Sequence, residues 1–359
     1  MDEFIPVGLL GATGTVGQRF ISLLDTHPQF RLVHLAASPR SMGKTYAAAV
    51  HWKLGTPIPP ALRHATLLAC DPDAFSTCRI VFSGLDADVA GEIEEAFRQA
   101  GFAVFSNARN FRMHPEWPLV VPVVNPGHFS MLTARSGGRG DGFIVTNANC
   151  STTGLVVPLK ALETAFGSID RVMVTTLQAV SGAGYPGVPS LDIMGNIVPE
   201  ISGEEDKMER EVQKILAPDP AGPGAGVSLR EDIRVSACCN RVPVLEGHTE
   251  CVSLSFKNRP PPTPEQVSAA LKAYTPPGLP RGLHSCPPND EFIHVCEATD
   301  RPQPRLDRDH GRGMSVCVGR VRGCKILDVK FTLLVHNTVL GAAGSSIMNA
   351  EIAHARGLI

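Results

Sequence analysis

A glycine-rich turn near the start of the chain restricts the possible folds more than any other segment. Residues 7–10 are apolar and predict a short strand, and residues 18–24 have the spacing of an amphipathic helix. Between them, glycine occupies every third position, at Gly11, Gly14 and Gly17. This order of strand, glycine turn and helix is typical of the first unit of a dinucleotide-binding α/β fold.

The spacing of these glycines is G-x-x-G-x-x-G, whereas the usual dinucleotide motif is G-x-G-x-x-G. A turn that only packs a helix on a sheet could use the same residues, so the motif alone leaves both interpretations open. The pattern continues with a predicted helix over residues 90–99 and with strands over 32–37, 80–82, 103–105, 119–124 and 143–145. The front of the chain is therefore predicted to be a Rossmann-type, doubly wound α/β domain.

The turn after the second predicted strand favours NADP(H) as the dinucleotide. An NAD-binding chain usually carries a carboxylate here, which binds the ribose hydroxyls. This chain instead has Ser38, Arg40 and Ser41, followed by Lys44. Two hydroxyls and a guanidinium can bind a 2′-phosphate, and no carboxylate repels it. The alternative is a solvated basic turn without a ligand.

Cys150 is the candidate nucleophile. Residues 143–145 predict a strand and residues 155–162 an amphipathic helix, so Cys150 lies where the helix begins. Free N–H groups and the helix dipole favour a thiolate there, and the same N–H groups could hold an oxyanion. The alternative is a small buried hydrophobic residue, which describes most free cysteines.

His248 is the candidate acid/base for this cysteine, because it follows Gly247 near a predicted strand over residues 252–256. A structural histidine is the alternative. Glu204 and Lys207 share one face of a predicted helix. They are either residues of the site or a solvated ion pair on the surface.

The second half predicts an α+β domain with a mixed sheet. We expect a strand over 171–177, a loop over 216–229 and a helix from 263. An irregular arm over 276–313 follows. Two antiparallel strands over 315–321 and 325–335, which turn at 322–323, precede a final helix over 339–356. We predict that residues 1–149 form the nucleotide-binding domain, with residues 338–359 packing back onto it, and that residues 150–337 form the catalytic domain.

Composition excludes several classes of protein. The 359 residues carry 33 basic and 35 acidic side chains, and this balance argues against nucleic acid as a partner. No apolar run approaches the roughly 20 residues of a membrane span, and the start is acidic where a signal peptide is basic. The ten cysteines include no C-x-x-C pair and no zinc pattern. We therefore expect a cytoplasmic protein without a metal site.

Taken together, these motifs resemble the aspartate-β-semialdehyde dehydrogenases of fungi and archaea, over nearly the whole chain. The matching segments are residues 11–17, 106–112, 121–126, 147–153, 178–184, 203–208, 241–249, 300–309 and 336–344. Archaeal malonyl-CoA reductases and a non-enzymatic NADP-binding relative are the alternatives. The combination of Arg241 with Glu204 favours an amino-acid substrate, and the presence of Cys150, Gln178 and His248 argues against a non-enzymatic role.

The resemblance implies a role for each matching position. It implies catalytic roles for Cys150, His248, Gln178 and Asn149, and substrate binding by Arg112, Arg241, Glu204, Lys207 and Asn107. It implies NADP contacts by Gly11, Thr13, Gly14, Thr15, Val16, Ser38, Arg40, Ser41, Ser181, Gly182 and Asn337, and we predict a further cofactor contact by Ser83. A ligand contact of Arg109 is left open, because the bacterial branch differs there. The family works as homodimers or homotetramers in which the second domain forms the dimer sheet.

The reaction implied is the NADPH-dependent reductive dephosphorylation of L-aspartyl-4-phosphate to L-aspartate 4-semialdehyde. It proceeds through a thioester on Cys150, in the route to threonine, methionine and isoleucine.

Overall fold

Two β sheets organise the chain, in a computed structural model that describes residues 4–132 and 142–359. The first sheet has five parallel strands in the order β2-β1-β3-β4-β5, as expected for the predicted doubly wound α/β fold. Its strands are β1 Ile5–Leu10, β2 Phe30–Ala36, β3 Ile80–Ser83, β4 Ala103–Ser106 and β5 Phe143–Thr146. The helices of this half are α1 Thr15–Leu24, α2 Tyr46–Ala49 and α3 Ala87–Gln99.

The start of α1 lies at very short range from the glycine turn itself. Gly11 has a φ of +75°, a left-handed conformation that favours glycine. A Cβ at Gly17 would lie 2.3 Å from the carbonyl oxygen of Gly11, so no side chain fits there. Gly14 has an ordinary φ of −71°, and a Cβ there would lie 3.5 Å from the same oxygen. Backbone conformation and packing therefore require glycine at Gly11 and at Gly17. Neither of them requires glycine at Gly14.

The predicted strand over residues 119–124 was wrong. Leu119 forms one isolated parallel bridge with Thr146, and the chain then turns into a 3-10 helix over Pro126–Met131. Asn125 explains the difference: its side chain accepts a hydrogen bond from Val121 N at 2.9 Å and donates one to Leu119 O at 2.9 Å. Because this side chain occupies backbone groups that a ladder would use, the apolar segment stays buried without becoming a strand.

The second sheet is mixed and has six strands in the order β7-β6-β8-β11-β10-β9. Helices α4, α6 and α7 pack on its strands. The strands are β6 Ile169–Gln178, β7 Arg234–Arg241, β8 His248–Phe256, β9 Ile293–Val295, β10 Val316–Gly323 and β11 Val329–Val335. The helices of this half are α4 Cys150–Phe166, α5 Ser190–Ile193, α6 Glu204–Ile215, α7 Pro264–Lys272, α8 Pro304–Asp307 and α9 Gly344–Ala355.

Two strands of this sheet were missed by the sequence analysis. β7 alternates half-buried and exposed residues without an apolar run, and β9 is a three-residue strand inside the arm predicted to be irregular. The antiparallel pairing of β10 with β11 was confirmed. The predicted turn at residues 322–323 was displaced, because β10 continues through Gly323 and Cys324 N instead bonds Asp328 O at 3.0 Å.

The end of the chain returns to the first sheet. A short π-helix, Val339–Ala343, contacts α1 and α4, and α9 contacts β3 and β4. Asn147 donates hydrogen bonds to Ala342 O at 2.7 Å and to Ser346 Oγ at 2.9 Å. This polar contact holds the final helix beside the residues that precede Cys150.

We expect Gly17→Ala and Gly14→Ala to differ in stability. Gly17→Ala should cost about 1–3 kcal/mol of unfolding free energy, because its methyl group meets backbone that cannot move aside. Gly14→Ala should stay within about 0.5 kcal/mol of the parent protein, because its methyl group has ordinary contacts. Urea unfolding curves of the two variants without cofactor would check this. Equal midpoints would contradict the packing role of Gly17.

Candidate active site

A cavity of about 1540 Å³ extends from the glycine turn of the first sheet to Cys150 at the start of α4. Most residues singled out from the sequence line it: Gly11, Thr13, Gly14, Thr15, Val16, Ser38, Arg40, Ser41, Asn107, Arg109, Arg112, Asn149, Cys150, Ser181, Gly182, Glu204, Lys207, Arg241 and Asn337. Residues far apart in the chain therefore share one surface, large enough for a dinucleotide and a small substrate.

Ser83 does not fit its predicted cofactor contact. Its side chain is fully buried and lies beside the Glu94 carboxyl, away from the cavity. Its carbonyl oxygen accepts hydrogen bonds from Asn107 N at 3.1 Å and from Asn107 Nδ2 at 3.0 Å. Ser83 therefore positions Asn107 through its backbone carbonyl and does not line the cavity.

Cys150 and His248 meet at the inner end of the cavity, with Sγ 3.2 Å from Nε2. Ala179 N donates a hydrogen bond to Nδ1 of the same ring at 3.0 Å. A neutral imidazole carries one proton, and a ring that accepts at Nδ1 carries it on Nε2. The resting imidazole therefore donates to the sulfur, a more specific role than the acid/base predicted from the sequence.

Both members of this pair are neutral without ligands. Burial, with a contribution from the positive charge of Arg241, lowers the pKa of His248 to about 3. Burial, with a contribution from the Glu204 carboxylate, raises the pKa of Cys150 to about 12, although Arg112 and Arg241 oppose this shift. The thiolate that the helix start was expected to favour is therefore suppressed until the surroundings of the sulfur change.

Asn149 is the N-cap of α4. Its Oδ1 accepts hydrogen bonds from Ser151 N at 2.9 Å and from Thr152 N at 3.2 Å. The expectation that the first N–H groups of this helix hold an oxyanion is therefore wrong for these two, because the cap already uses them. The side-chain amide of Asn149 donates to Glu204 Oε1 at 2.6 Å, which places the cap in the wall of the cavity.

Arg241 lies at the end of β7 beside the reacting sulfur. Its Nη1 donates to Ala179 O at 2.8 Å, and the residue is buried. A Cβ at Gly182 would lie 2.9 Å from this Nη1 and 3.2 Å from His248 Nε2, so the glycine loop closes around both side chains. A fixed guanidinium next to the nucleophile can bind a carboxylate in two-point geometry.

Glu204 is a buried carboxylate in the same wall. Lys207 Nζ lies 2.6 Å from its Oε2. Although burial opposes ionisation, Lys207, Asn149 and Gln178 together hold the pKa of Glu204 below its usual value. Gln178 itself is buried behind the cavity, where it bonds the hydroxyl of Thr176 at 3.3 Å. An ionised carboxylate opposite Arg241 can bind an ammonium group.

Arg112 is the second buried arginine of the cavity. It forms an ion pair with Glu211, with Nη1 2.9 Å from Oε1, and its Nη2 donates to Asn107 O at 2.8 Å. With Lys207, it gives this end of the cavity two cationic side chains, a combination that can bind a phosphate group.

Two buried carboxyl groups beside the site were not predicted from the sequence. Glu211 bonds Arg112 through one oxygen and accepts Asn149 N at 2.7 Å through the other. Its position seven residues after Glu204, on the same helix face, was a usable signal. Glu250 lies two residues after His248 in β8, and within residues 4–132 and 142–359 neither of its oxygens has a hydrogen-bond partner. Burial raises the pKa of Glu250 well above its usual value, which keeps it neutral.

The outer part of the cavity fits a dinucleotide with a 2′-phosphate. Gly11 and Gly14 expose backbone at the start of α1, where a pyrophosphate can bind. Arg40 is exposed at the rim and forms no ion pair with the described part of the chain. A free guanidinium with two neighbouring serines is suited to a phosphate monoester.

Comparison with known proteins agrees with this geometry. The model for the semialdehyde dehydrogenase NAD-binding domain matches residues 6–132, and that for the dimerisation domain matches residues 159–340. The chain belongs to the semialdehyde dehydrogenase family. It is 56% identical to the aspartate-semialdehyde dehydrogenase of Cryptococcus neoformans, over 99% of this chain and 98% of that one.

Two further relatives show the same extent of similarity. The aspartate-semialdehyde dehydrogenase of Saccharomyces cerevisiae is 53% identical, over 98% of each chain. The crystal structure of the Candida albicans enzyme with NADP superposes with a TM-score of 0.91 at 49% identity, and covers 99% of this chain and 100% of that one. No helix within the described residues of our chain is long and apolar enough to cross a membrane.

The neutral resting pair predicts how alkylation of Cys150 depends on pH. With the thiol pKa raised to about 12, the thiolate fraction should grow about tenfold per pH unit between pH 6.5 and 9.5. With the His248 pKa lowered to about 3, the ring should not titrate in this range, so His248→Gln should have a profile of the same slope.

Iodoacetamide labelling of the Cys150 peptide, followed by mass spectrometry, would measure these rates. Free N-acetylcysteine, treated in the same buffers, serves as the control for reagent and pH. A plateau below pH 8 in the parent protein, lost in His248→Gln, would instead indicate a thiolate–imidazolium pair.

Proposed function

We propose that this chain is an NADP-dependent aspartate-semialdehyde dehydrogenase that reduces L-aspartyl-4-phosphate to L-aspartate 4-semialdehyde. The observation that carries the proposal is the position of Cys150, 3.2 Å from His248 and in one cavity with two buried arginines, Arg112 and Arg241. The names of relatives that are more than 50% identical over nearly the full chain support the same activity.

The two arginines bind different groups of the substrate. Arg241 binds the α-carboxylate, and the buried Glu204 carboxylate pairs with the α-ammonium group. Arg112, Lys207 and Asn107 receive the phosphate at the other side of the sulfur. Asn149 and Gln178 orient this assembly through Glu204. A malonyl-CoA substrate has no ammonium group, so Glu204 would then face a ligand without a matching charge.

The chemistry starts at the sulfur. Cys150 Sγ attacks the acyl carbon, the carbon–oxygen bond to phosphate breaks, and a thioester forms, while the departing phosphate takes up the proton of the thiol. Bound NADPH supplies a hydride to the thioester carbonyl. The carbon–sulfur bond of the resulting thiohemiacetal then breaks, and the aldehyde leaves. The Nε2–H of His248 donates to Sγ both when the sulfur attacks and when it leaves as a thiolate.

The residues at the rim of the cavity support NADP(H) as the cofactor. Gly11, Thr13, Gly14, Thr15 and Val16 bind the pyrophosphate, and Ser38, Arg40 and Ser41 bind the 2′-phosphate. Ser181, Gly182 and Asn337 lie towards the nicotinamide end; Asn337 Nδ2 bonds Ser181 Oγ at 2.8 Å. The NADP in the Candida albicans structure supports this choice.

We assign residues 1–149 with 338–359 to the NADP-binding domain and residues 150–337 to the catalytic and dimerisation domain. On the second sheet, Arg171, Met173 and Thr175 of β6 are exposed, with Cys238 and Cys251 beside them on neighbouring strands. This face is the proposed homodimer contact; light scattering would distinguish a dimer from a tetramer. Ten free cysteines, one of them the nucleophile, suit the reducing cytoplasm.

The substrate assignment predicts opposite defects for Arg241→Lys and Arg112→Lys. The parent protein should reduce NADP with aspartate semialdehyde and phosphate, and not with malonate semialdehyde and CoA. Arg241→Lys should raise KM for aspartate semialdehyde about 10–100-fold, because an ammonium cannot replace the two-point guanidinium contact. Arg112→Lys should mainly raise KM for phosphate.

Steady-state kinetics with each substrate varied separately would measure both defects. Activity of the parent protein with malonate semialdehyde and CoA, or unchanged aspartate semialdehyde use by Arg241→Lys, would contradict the assignment.

The cofactor assignment predicts the effect of reversing the charge at the rim. Arg40→Asp should weaken NADPH binding about 100-fold and leave NADH binding within a few-fold, because only the 2′-phosphate faces the new carboxylate. Arg63→Asp is the matched control, since Arg63 is exposed on the same half of the chain but does not line the cavity. Fluorescence titration with each nucleotide would check this. A comparable loss of both nucleotides would place the 2′-phosphate elsewhere.

A further inference from the structure

The arm over residues 276–313 contains a cluster of metal-ligand side chains that the proposed function does not use. Glu291 lies between two histidines: His294 Nδ1 is 2.7 Å from its Oε1, and His310 Nε2 is 2.8 Å from its Oε2. The two imidazole rings stack with their centroids 3.9 Å apart and their planes at 30°. One carboxylate therefore holds two imidazoles that come from different segments of the chain.

The three ligand atoms lie within 4.8 Å of one another. Two imidazole nitrogens and one carboxylate oxygen form a donor set typical of zinc, with bonds of about 2.0–2.2 Å. About a third of each histidine side chain is exposed, so water can reach the fourth position of a tetrahedral site.

The backbone holds these groups in place. Glu291 precedes β9, His294 lies in β9, and His310 precedes β10, which pairs with β9 in parallel register. Ser315 Oγ also donates to Glu291 O at 2.6 Å. Two residues next to the cluster in the sequence have left-handed backbone conformations: Asp290, with a φ of 54°, and Arg312, with a φ of 61°. Such conformations persist only where neighbouring contacts impose them.

Local charge leaves the cluster available to a cation. Lys272, the nearest lysine of the adjacent groove, pairs with Glu297 at 3.3 Å. Arg312 donates to the carbonyl oxygens of Cys286 and His284 and forms no ion pair with the described residues. Glu291 thus has only histidines as its ion-pair partners in the described chain, so no lysine or arginine of these residues competes with a metal ion for its carboxylate.

We propose that Glu291, His294 and His310 bind a divalent transition-metal ion of the Zn²⁺ type. None of the three lines the cavity that contains Cys150, so the ion has a structural role. It joins the edge strand β9 to the segment before β10. An ion that binds only the folded protein stabilises it according to its affinity and concentration.

Isothermal titration of the dimer with Zn²⁺ tests the proposal. We expect one site per chain whose affinity falls about tenfold or more in His294→Gln and in His310→Gln, since each loses one ligand. Glutamine retains a hydrogen bond to Glu291, so folding should be preserved. His64→Gln is the matched control, because His64 is an exposed histidine far from the arm in sequence, and it should leave the affinity unchanged.

Cysteine thiols also bind Zn²⁺, so location needs a separate measurement. Crystals soaked in Zn²⁺ should show an anomalous peak bonded to Glu291, His294 and His310, and crystals of His310→Gln should lack it. The absence of this peak in the parent protein overturns the proposal, as does an affinity that both glutamine variants leave unchanged.

Discussion

The hydrogen bonds of Asn149 hold the two halves of the active site together. Its side-chain oxygen caps α4 at Ser151 and Thr152, its amide group reaches Glu204, and its backbone N–H reaches Glu211. One residue therefore fixes the start of the helix that carries Cys150 and connects it to α6. Because Glu211 also binds Arg112, the same network extends to the proposed phosphate end of the cavity.

Around this network, charge is balanced against burial. Glu204 and Glu211 are buried beside Lys207 and Arg112, whereas Glu250 pairs with no cation among the described residues and stays neutral. Burial and the Glu204 carboxylate keep Cys150 protonated in the resting site. In the proposed reaction, the ammonium group of the substrate would offset the charge of Glu204. Substrate binding would then lower the cost of forming the thiolate, so the nucleophile becomes reactive when its target is present.

The two sheets provide different parts of the active site. The parallel sheet presents the glycine turn at its carboxyl edge, where Gly11 and Gly17 let α1 approach. The mixed sheet supplies His248 and Arg241 from the ends of two strands, and the chain between Gln178 and Gly182 closes over both. The π-helix Val339–Ala343 packs Gly341 against Cys150, where a Cβ would lie 2.9 Å from the cysteine Cβ. The final segment thereby supports the nucleophile as well as the first sheet.

Features set by neighbouring residues could be predicted from the sequence. The glycine turn, the start of α4 at Cys150 and the capping box at Thr263 depend on local backbone preference, and the structure has all three. The matching motifs also predicted most of the residues that line the cavity, although Ser83 does not line it. Contacts between distant segments decided the rest. The Asn125 side chain prevented a strand, and Ala179 selected the tautomer of His248. Glu211 joined Arg112 to the helix cap, and β9 brought His294 to His310. Hydrogen-bond partners and burial, which set these outcomes, exist only after the chain has folded.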